Sequence, residues 1–285
     1  MPASEEVMIK HLGIIAGGGI LPVQLARECK NQGKTVFIVG FEGQTSDELK
    51  QEYRHLWTGL GAAGSIIKTL KEEGIKDLVL AGSIRRPWLT ELKPDLKGLE
   101  ILTRIGMNVF GDNTLLALIK TELEKEGFCL HGVQKFAAGM LASEGKLTSR
   151  KPDKNENLSI KKGIEASQAL GLLDIGQAVV VQDGIVLGVE AVEGTDVLIA
   201  RCAAYQKKGG GAILVKTCKP QQDKDMDLPT IGPDTVKKAG EAGFSGIAVQ
   251  AGASLILEPQ AVAEIADKYK MFVLGLSLNQ TGESC

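Results

Sequence analysis

An apolar run at residues 12–16 breaks at Gly17-Gly18-Gly19, and helical spacing begins at once over residues 21–31, with Pro22 suited to a first turn. Strand, glycine loop and helix in that order are the opening of a βα unit, and the pattern repeats. Gly33 closes the helix, residues 35–39 are apolar and β-branched, residues 56–58 read as a third short strand, and residues 64–73 form a helix before a strand at 77–81. Alternating β and α demands a mostly parallel, Rossmann-like sheet. A long loop at 82–98 follows, then helices around 99–105 and 113–126, and a last strand at 128–132.

Residues 148–157 hold no apolar side chain and place a proline among charges, which reads as a polar linker. The expectation is an N-terminal glycine-loop α/β domain at 1–147, a linker at 148–157 acting as a hinge, and a C-terminal α/β domain at 158–285. In the second domain a helix at 158–170 precedes two strands, 178–181 and 185–189, around the hairpin signal Asp183-Gly184. That antiparallel pair predicts a mixed sheet. Residues 195–206 read as a helix capped by Thr195, 212–216 as a strand, 234–242 and 259–269 as helices, and 247–249, 255–257 and 272–276 as strands.

Composition removes several function classes. Thirty-five glycines suit many tight turns, while aromatics at 4% and a net charge of -2 argue against nucleic-acid binding. Five cysteines without a CxxC pair indicate neither a disulfide framework nor a zinc knuckle, so a reducing cytoplasm is the expected compartment. No apolar run reaches the ~18 residues of a membrane span. The three histidines are too far apart in sequence to form a local metal motif.

Three groups of residues could carry chemistry. Gly17 and Gly19 stand at a helix start, where backbone N–H groups and the helix dipole favour phosphate; the match to G-x-G-x-x-G is spoiled by Pro22 in place of the third glycine, although Glu42 falls where a ribose-binding acid would. Arg85 and Arg86 follow the strand at 77–81 and can fork phosphate oxygens. In the second half Glu190, Glu193 and Asp196 follow the hairpin, and Asp223, Asp225 and Asp227 alternate, so an extended segment would aim all three one way. Carboxylates without histidine or thiolate suit Mg²⁺ or Mn²⁺, and Lys216 and Lys219 could neutralise phosphate beside them. Each group also has a plain structural reading: a tight turn, a solvated basic pair, an acidic surface loop, and an N-cap followed by an acid.

Taken together, segments 16–22, 81–87, 111–113, 189–196 and 219–232 resemble, in order and spacing, the UDP-2,3-diacylglucosamine pyrophosphatases of the lipid A pathway, in the form unrelated to the metallophosphoesterases. The resemblance runs from about Leu12 to Leu276. It implies two domains with the ligand held between them, and Mg²⁺-dependent hydrolysis to UMP and 2,3-diacylglucosamine 1-phosphate. It also implies an essential acid in the motif D-[LV]-P-x-[IV]-G, which is Asp227 here. On this reading Asp227 is catalytic and a metal ligand, Asp223, Glu190 and Asp196 support the metal, and Gly17, Gly19, Arg85, Arg86, Lys219 and Thr195 bind substrate. The chain departs from the family pattern at Asn113, where a second aspartate is frequent, and at Asp225, where an arginine is common. A homodimer and transient contact with the inner-membrane surface complete the expectation. Two other classes stay open: a nicotinamide-dependent oxidoreductase built on the glycine loop and Glu42, and a non-catalytic nucleotide- or lipid-binding protein.

Overall fold

The computed structural model describes residues 9–84, 93–105 and 112–278. The chain divides into two compact units, residues 1–138 together with 225–227, and residues 139–224 together with 228–285.

The first unit runs β1 (His11–Ala16), α1 (Leu21–Asn31), β2 (Thr35–Phe41), α2 (Glu48–Glu52), β3 (Arg54–Thr58), α3 (Ala63–Glu72), β4 (Asp77–Ala81), α4 (Leu96–Ile105), α5 (Asp112–Lys125) and β5 (Cys129–Leu130). Its five strands are all parallel in the order β3-β2-β1-β4-β5. Strand order reverses between β1 and β4, the kind of switch point beyond whose carboxyl ends open α/β sheets bind ligands. The period of two sorts the core: Phe37, Val39 and Phe41 of β2 pack with Ile66, Ile67 and Leu70 of α3 and Leu123 of α5. Val36 and Ile38 are also buried, as strands covered on both faces require.

The second unit runs β6 (Gly145–Lys146), α6 (Lys154–Leu172), β7 (Ala178–Gln182), β8 (Ile185–Val189), α7 (Thr195–Ala203), β9 (Ile213–Lys216), β10 (Thr230–Ile231), α8 (Pro233–Glu241), β11 (Gly246–Gln250), β12 (Leu255–Ile256), α9 (Pro259–Lys268) and β13 (Phe272–Leu276). Six strands form a mixed sheet in the order β6-β13-β11-β9-β7-β8, and β10 and β12 make a separate parallel pair. Strands β9, β11 and β13 are mutually parallel, whereas β7 and β6 run antiparallel to their neighbours. The hairpin β7–β8 turns at Asp183 and Gly184, with φ of 50° and 73°, the positive values that a two-residue turn matching strand twist requires. On one face Ile160 and Ile164 of α6 meet Ile213, Val215 and Phe272. On the other, Leu198, Val236 and Val262 of α7, α8 and α9 meet Val180, Leu214, Ile247 and Val273. The result is three layers, helix, sheet and helix.

The expected boundary moves. Residues 139–147 belong to the second unit, where β6 pairs with β13, and residues 148–157 are packed rather than hinged. Thr148 Oγ1 accepts from Val273 N at 3.0 Å, Ser149 donates through N and Oγ to the Asp267 carboxylate at 2.9 Å each, and Arg150 donates to Ser245 O and Glu156. Asp153 and Glu156 form a reciprocal capping box that starts α6 at Lys154, inside the stretch read as linker. A segment without apolar residues is here held by side-chain hydrogen bonds, which polar composition alone does not distinguish from a solvated tether.

Candidate active site

At the switch point of the first unit, the glycine loop is bonded to the loop after β4. Gly17 N donates to Ala81 O at 2.8 Å, Gly18 N to Ser83 O at 2.7 Å, and Ser83 N returns to Gly18 O at 3.1 Å. A Cβ on Gly17 would stand 2.4 Å from Ser83 O, so this glycine is required by the close approach of backbone. Gly19 has φ of 85° and open space where a Cβ would lie. Thr45 Oγ1, buried, donates to Ala16 O and ties the β2–α2 loop to the same strand end. The N–H groups of Gly17 and Gly18 are therefore spent on the protein, and a ligand here would meet Gly19 and the first turn of α1. Arg85, Arg86 and Gly111 lie outside the described residues, and Asn113 stands in α5.

At the carboxyl end of β9 the second unit buries a polar cluster. Thr195, the first residue of α7, donates its hydroxyl to Glu190 Oε1 and accepts from Lys216 Nζ at 2.9 Å. Glu190 Oε2 accepts from Gln177 N at 3.2 Å, and Lys216 Nζ also donates to Thr230 O at 3.2 Å. Glu190 and Lys216 are each 7% exposed. Thr195 does not cap α7 as the sequence suggests: Gly194, with φ of 80°, occupies that position, and the hydroxyl turns to Glu190 instead. Lys219, 8% exposed, pairs with Asp174 Oδ1 at 2.5 Å. Asp196 is half-exposed and pairs with Lys238, whose pKa that hydrogen bond raises, while Glu193 pairs with Arg201.

The loop between β9 and β10 carries the three alternating acids. It is not extended: the chain turns at residues 224–226, with Asp223, Asp225 and Asp227 exposed and Met226 and Leu228 buried. Residues 225–227 count with the first unit, in which Gln134 Nε2 donates to Asp225 Oδ1 at 3.1 Å. Among the described residues no three His, Cys, Asp or Glu side chains gather as metal ligands, so Asp223, Asp227, Glu190 and Asp196 are not a preassembled set. The donor chemistry nevertheless fits Mg²⁺, which takes one or two carboxylates and completes its shell with water and substrate phosphate. Asp223, Asp225 and Asp227 are exposed carboxylates of that kind, whereas Glu190 is 7% exposed and both its oxygens accept hydrogen bonds.

Burial pushes the Cys29 thiol up to about 11 and raises that of Cys202, which leaves both poor nucleophiles. His131 pairs with Asp77 at 2.7 Å beside β4 and packs edge-on against Phe136 at 5.9 Å, a structural role. Sequence reasoning missed Asp174, Gln177 and Thr230. Asp174 held one signal, a non-glycine residue just past a helix end, where a positive φ, here 54°, is favoured in Asp.

Comparison with known proteins follows the same division. The model of the LpxI N-terminal domain matches residues 11–140 and that of the LpxI C-terminal domain residues 143–274. The chain is 36% identical over 275 residues to the UDP-2,3-diacylglucosamine pyrophosphatase LpxI of Caulobacter vibrioides, covering 94% of this chain and 98% of that protein. Among solved structures, the biotin carboxylase subunit of pyruvate carboxylase is 15% identical over 61% of this chain and 35% of its own, with a TM-score of 0.25. The biotin carboxylase domain of Hydrogenobacter thermophilus 2-oxoglutarate carboxylase is 12% identical over 62% and 36%, with a TM-score of 0.26. The chain thus spans about a third of either carboxylase chain.

Proposed function

The chain belongs to the LpxI family, and from that premise we propose that it hydrolyses the pyrophosphate bond of UDP-2,3-diacylglucosamine in lipid A synthesis, yielding UMP and 2,3-diacylglucosamine 1-phosphate, with Mg²⁺ as cofactor. The observation that carries the reading is the end-to-end match to a relative bearing that activity in its name, at 36% identity.

Asp227 and Asp223 would hold the ion, which offsets pyrophosphate charge and so eases departure of the leaving phosphate. Asp227 orients the attacking water, accepting its proton as the bond to phosphorus forms. Gly19 and the first turn of α1 present backbone donors to a phosphate of the substrate. Arg85, Arg86 and Lys219 are the cationic side chains proposed for the remaining phosphate oxygens. Acyl chains need apolar surface, and Leu172, Leu173 and Ile175 are exposed around Asp174, the partner of Lys219. The test is release of UMP from UDP-2,3-diacylglucosamine by the purified full chain with and without Mg²⁺. Absence of release in Mg²⁺ would remove the reading, and release of an intact UDP would redirect it to the glycosidic bond.

A further inference from the structure

Two lysines of the second unit are buried, and the structure separates them. Lys219 has a carboxylate at contact distance, Asp174 Oδ1 at 2.5 Å, and its charge is answered there. Lys216 has no carboxylate within 4 Å among the described residues, although it is 7% exposed. The Thr195 hydroxyl stands between it and the buried Glu190 carboxylate, so its charge is met only through that hydroxyl, and a buried ammonium without a direct ion pair is costly. Of its three N–H groups, one goes to Thr195 Oγ1 and one to Thr230 O; the third has no partner among the described residues. Thr230 stands three positions after Asp227, so the ammonium is tied to the backbone that leaves the acidic loop.

The hydroxyl of Thr195 has one proton, and Glu190 takes it. With that proton engaged, the hydroxyl has no donor left for an anion. Its free-energy role is upstream: it receives Lys216, is itself fixed by Glu190, and Glu190 is fixed by Gln177 N at 3.2 Å. We propose that Lys216 is a phosphate-binding residue, offering its third N–H to a phosphoryl oxygen of the ligand, and that Thr195 is a positioning residue which aims the ammonium. The proposal deepens the pyrophosphatase reading and rests on it only for which phosphate is bound; an anion seat exists or fails independently of turnover.

The experiment uses the full chain and inorganic phosphate as probe, read as the shift in melting temperature, with KM and kcat for UDP-2,3-diacylglucosamine measured alongside. Wild type should melt higher in phosphate than in an equal ionic strength of chloride. Lys216→Met should lose that difference and lower kcat/KM at least about tenfold. Thr195→Val should behave like Lys216→Met in direction, and Thr195→Ser, which keeps the hydroxyl, should restore both the phosphate response and KM. A phosphate response in Lys216→Met equal to wild type, or none in wild type, overturns the proposal. If Lys216→Met does not fold, Thr195→Val and Thr195→Ser decide it: equal phosphate responses in the two overturn it. A phosphate response that depends on Lys216, in a protein that releases no UMP, would keep the anion seat and reject the pyrophosphatase reading.

Discussion

A methyl group placed on Gly17 would stand 2.4 Å from the carbonyl oxygen of Ser83, and both residues lie at the carboxyl ends of the adjacent strands β1 and β4. Backbone cannot yield there without breaking the Gly17 N to Ala81 O and Gly18 N to Ser83 O bonds. Gly17→Ala should therefore destabilise the protein by about 1–3 kcal/mol, the usual penalty of overpacking. Urea unfolding measures it, and an unchanged midpoint would show that the two loops separate freely.

Asp227→Asn should lower kcat by at least about 100-fold while changing KM little, as expected for a group acting chiefly in the transition state. Steady-state kinetics on the folded variant are the check. Turnover near wild type would take Asp227 out of the mechanism.

Exhaustive treatment with EDTA should abolish turnover, and Mg²⁺ or Mn²⁺ should restore it. The melting temperature should hardly move, because no trio of ligating side chains is gathered among the described residues for a structural ion to hold together. A large fall in melting temperature would reveal a structural ion instead.

Asp95 joins two helix starts. It accepts from Gly98 N at 2.7 Å in α4 and from Ser65 N at 3.0 Å in α3. Burial pushes its carboxyl up, but the backbone donors outweigh burial and hold the pKa below its ordinary 3.8. A depressed folded-state value means that the unfolded chain binds the proton more readily. The stabilisation is thus complete above the ordinary value and disappears as pH falls through the depressed one. Asp95→Ala should cost about 1 kcal/mol at pH 7, the scale of a lost cap, and that difference from wild type should shrink below about pH 4. A difference constant from pH 7 to pH 2.5 would exclude an ionised Asp95 as its source.

Periodicity and turn chemistry made the scaffold legible. Residues 36–39 alternate between two buried faces, and Asp183-Gly184 supplies the positive φ values that its hairpin needs. The misreadings share a cause: a polar residue's partner is set by the fold, not by its neighbours in sequence. Thr195 looks like a cap because it starts a helix, yet its hydroxyl serves Glu190; residues 148–157 look like a tether, yet Asp267 and Ser245 hold them. The capping box of Asp153 and Glu156 was visible in the spacing and argues against a tether. Lys219 could be picked out as a cation, but its pairing across 45 positions with Asp174 could not.

Strand β13 sits between β6 and β11 and contributes the fully buried Phe272, so the mixed sheet cannot close before residues 272–276 have been made. Gly145 of β6 must therefore wait for Gly275, its partner 130 positions later. At ribosomal speeds of roughly 5–20 residues per second, that interval is on the order of 10 s. The five-stranded parallel sheet is complete in sequence once Leu130 has emerged. During synthesis the nascent chain thus carries a finished parallel sheet ahead of a second sheet whose strand edges stay open, and that interval is when chaperone capture has most to protect.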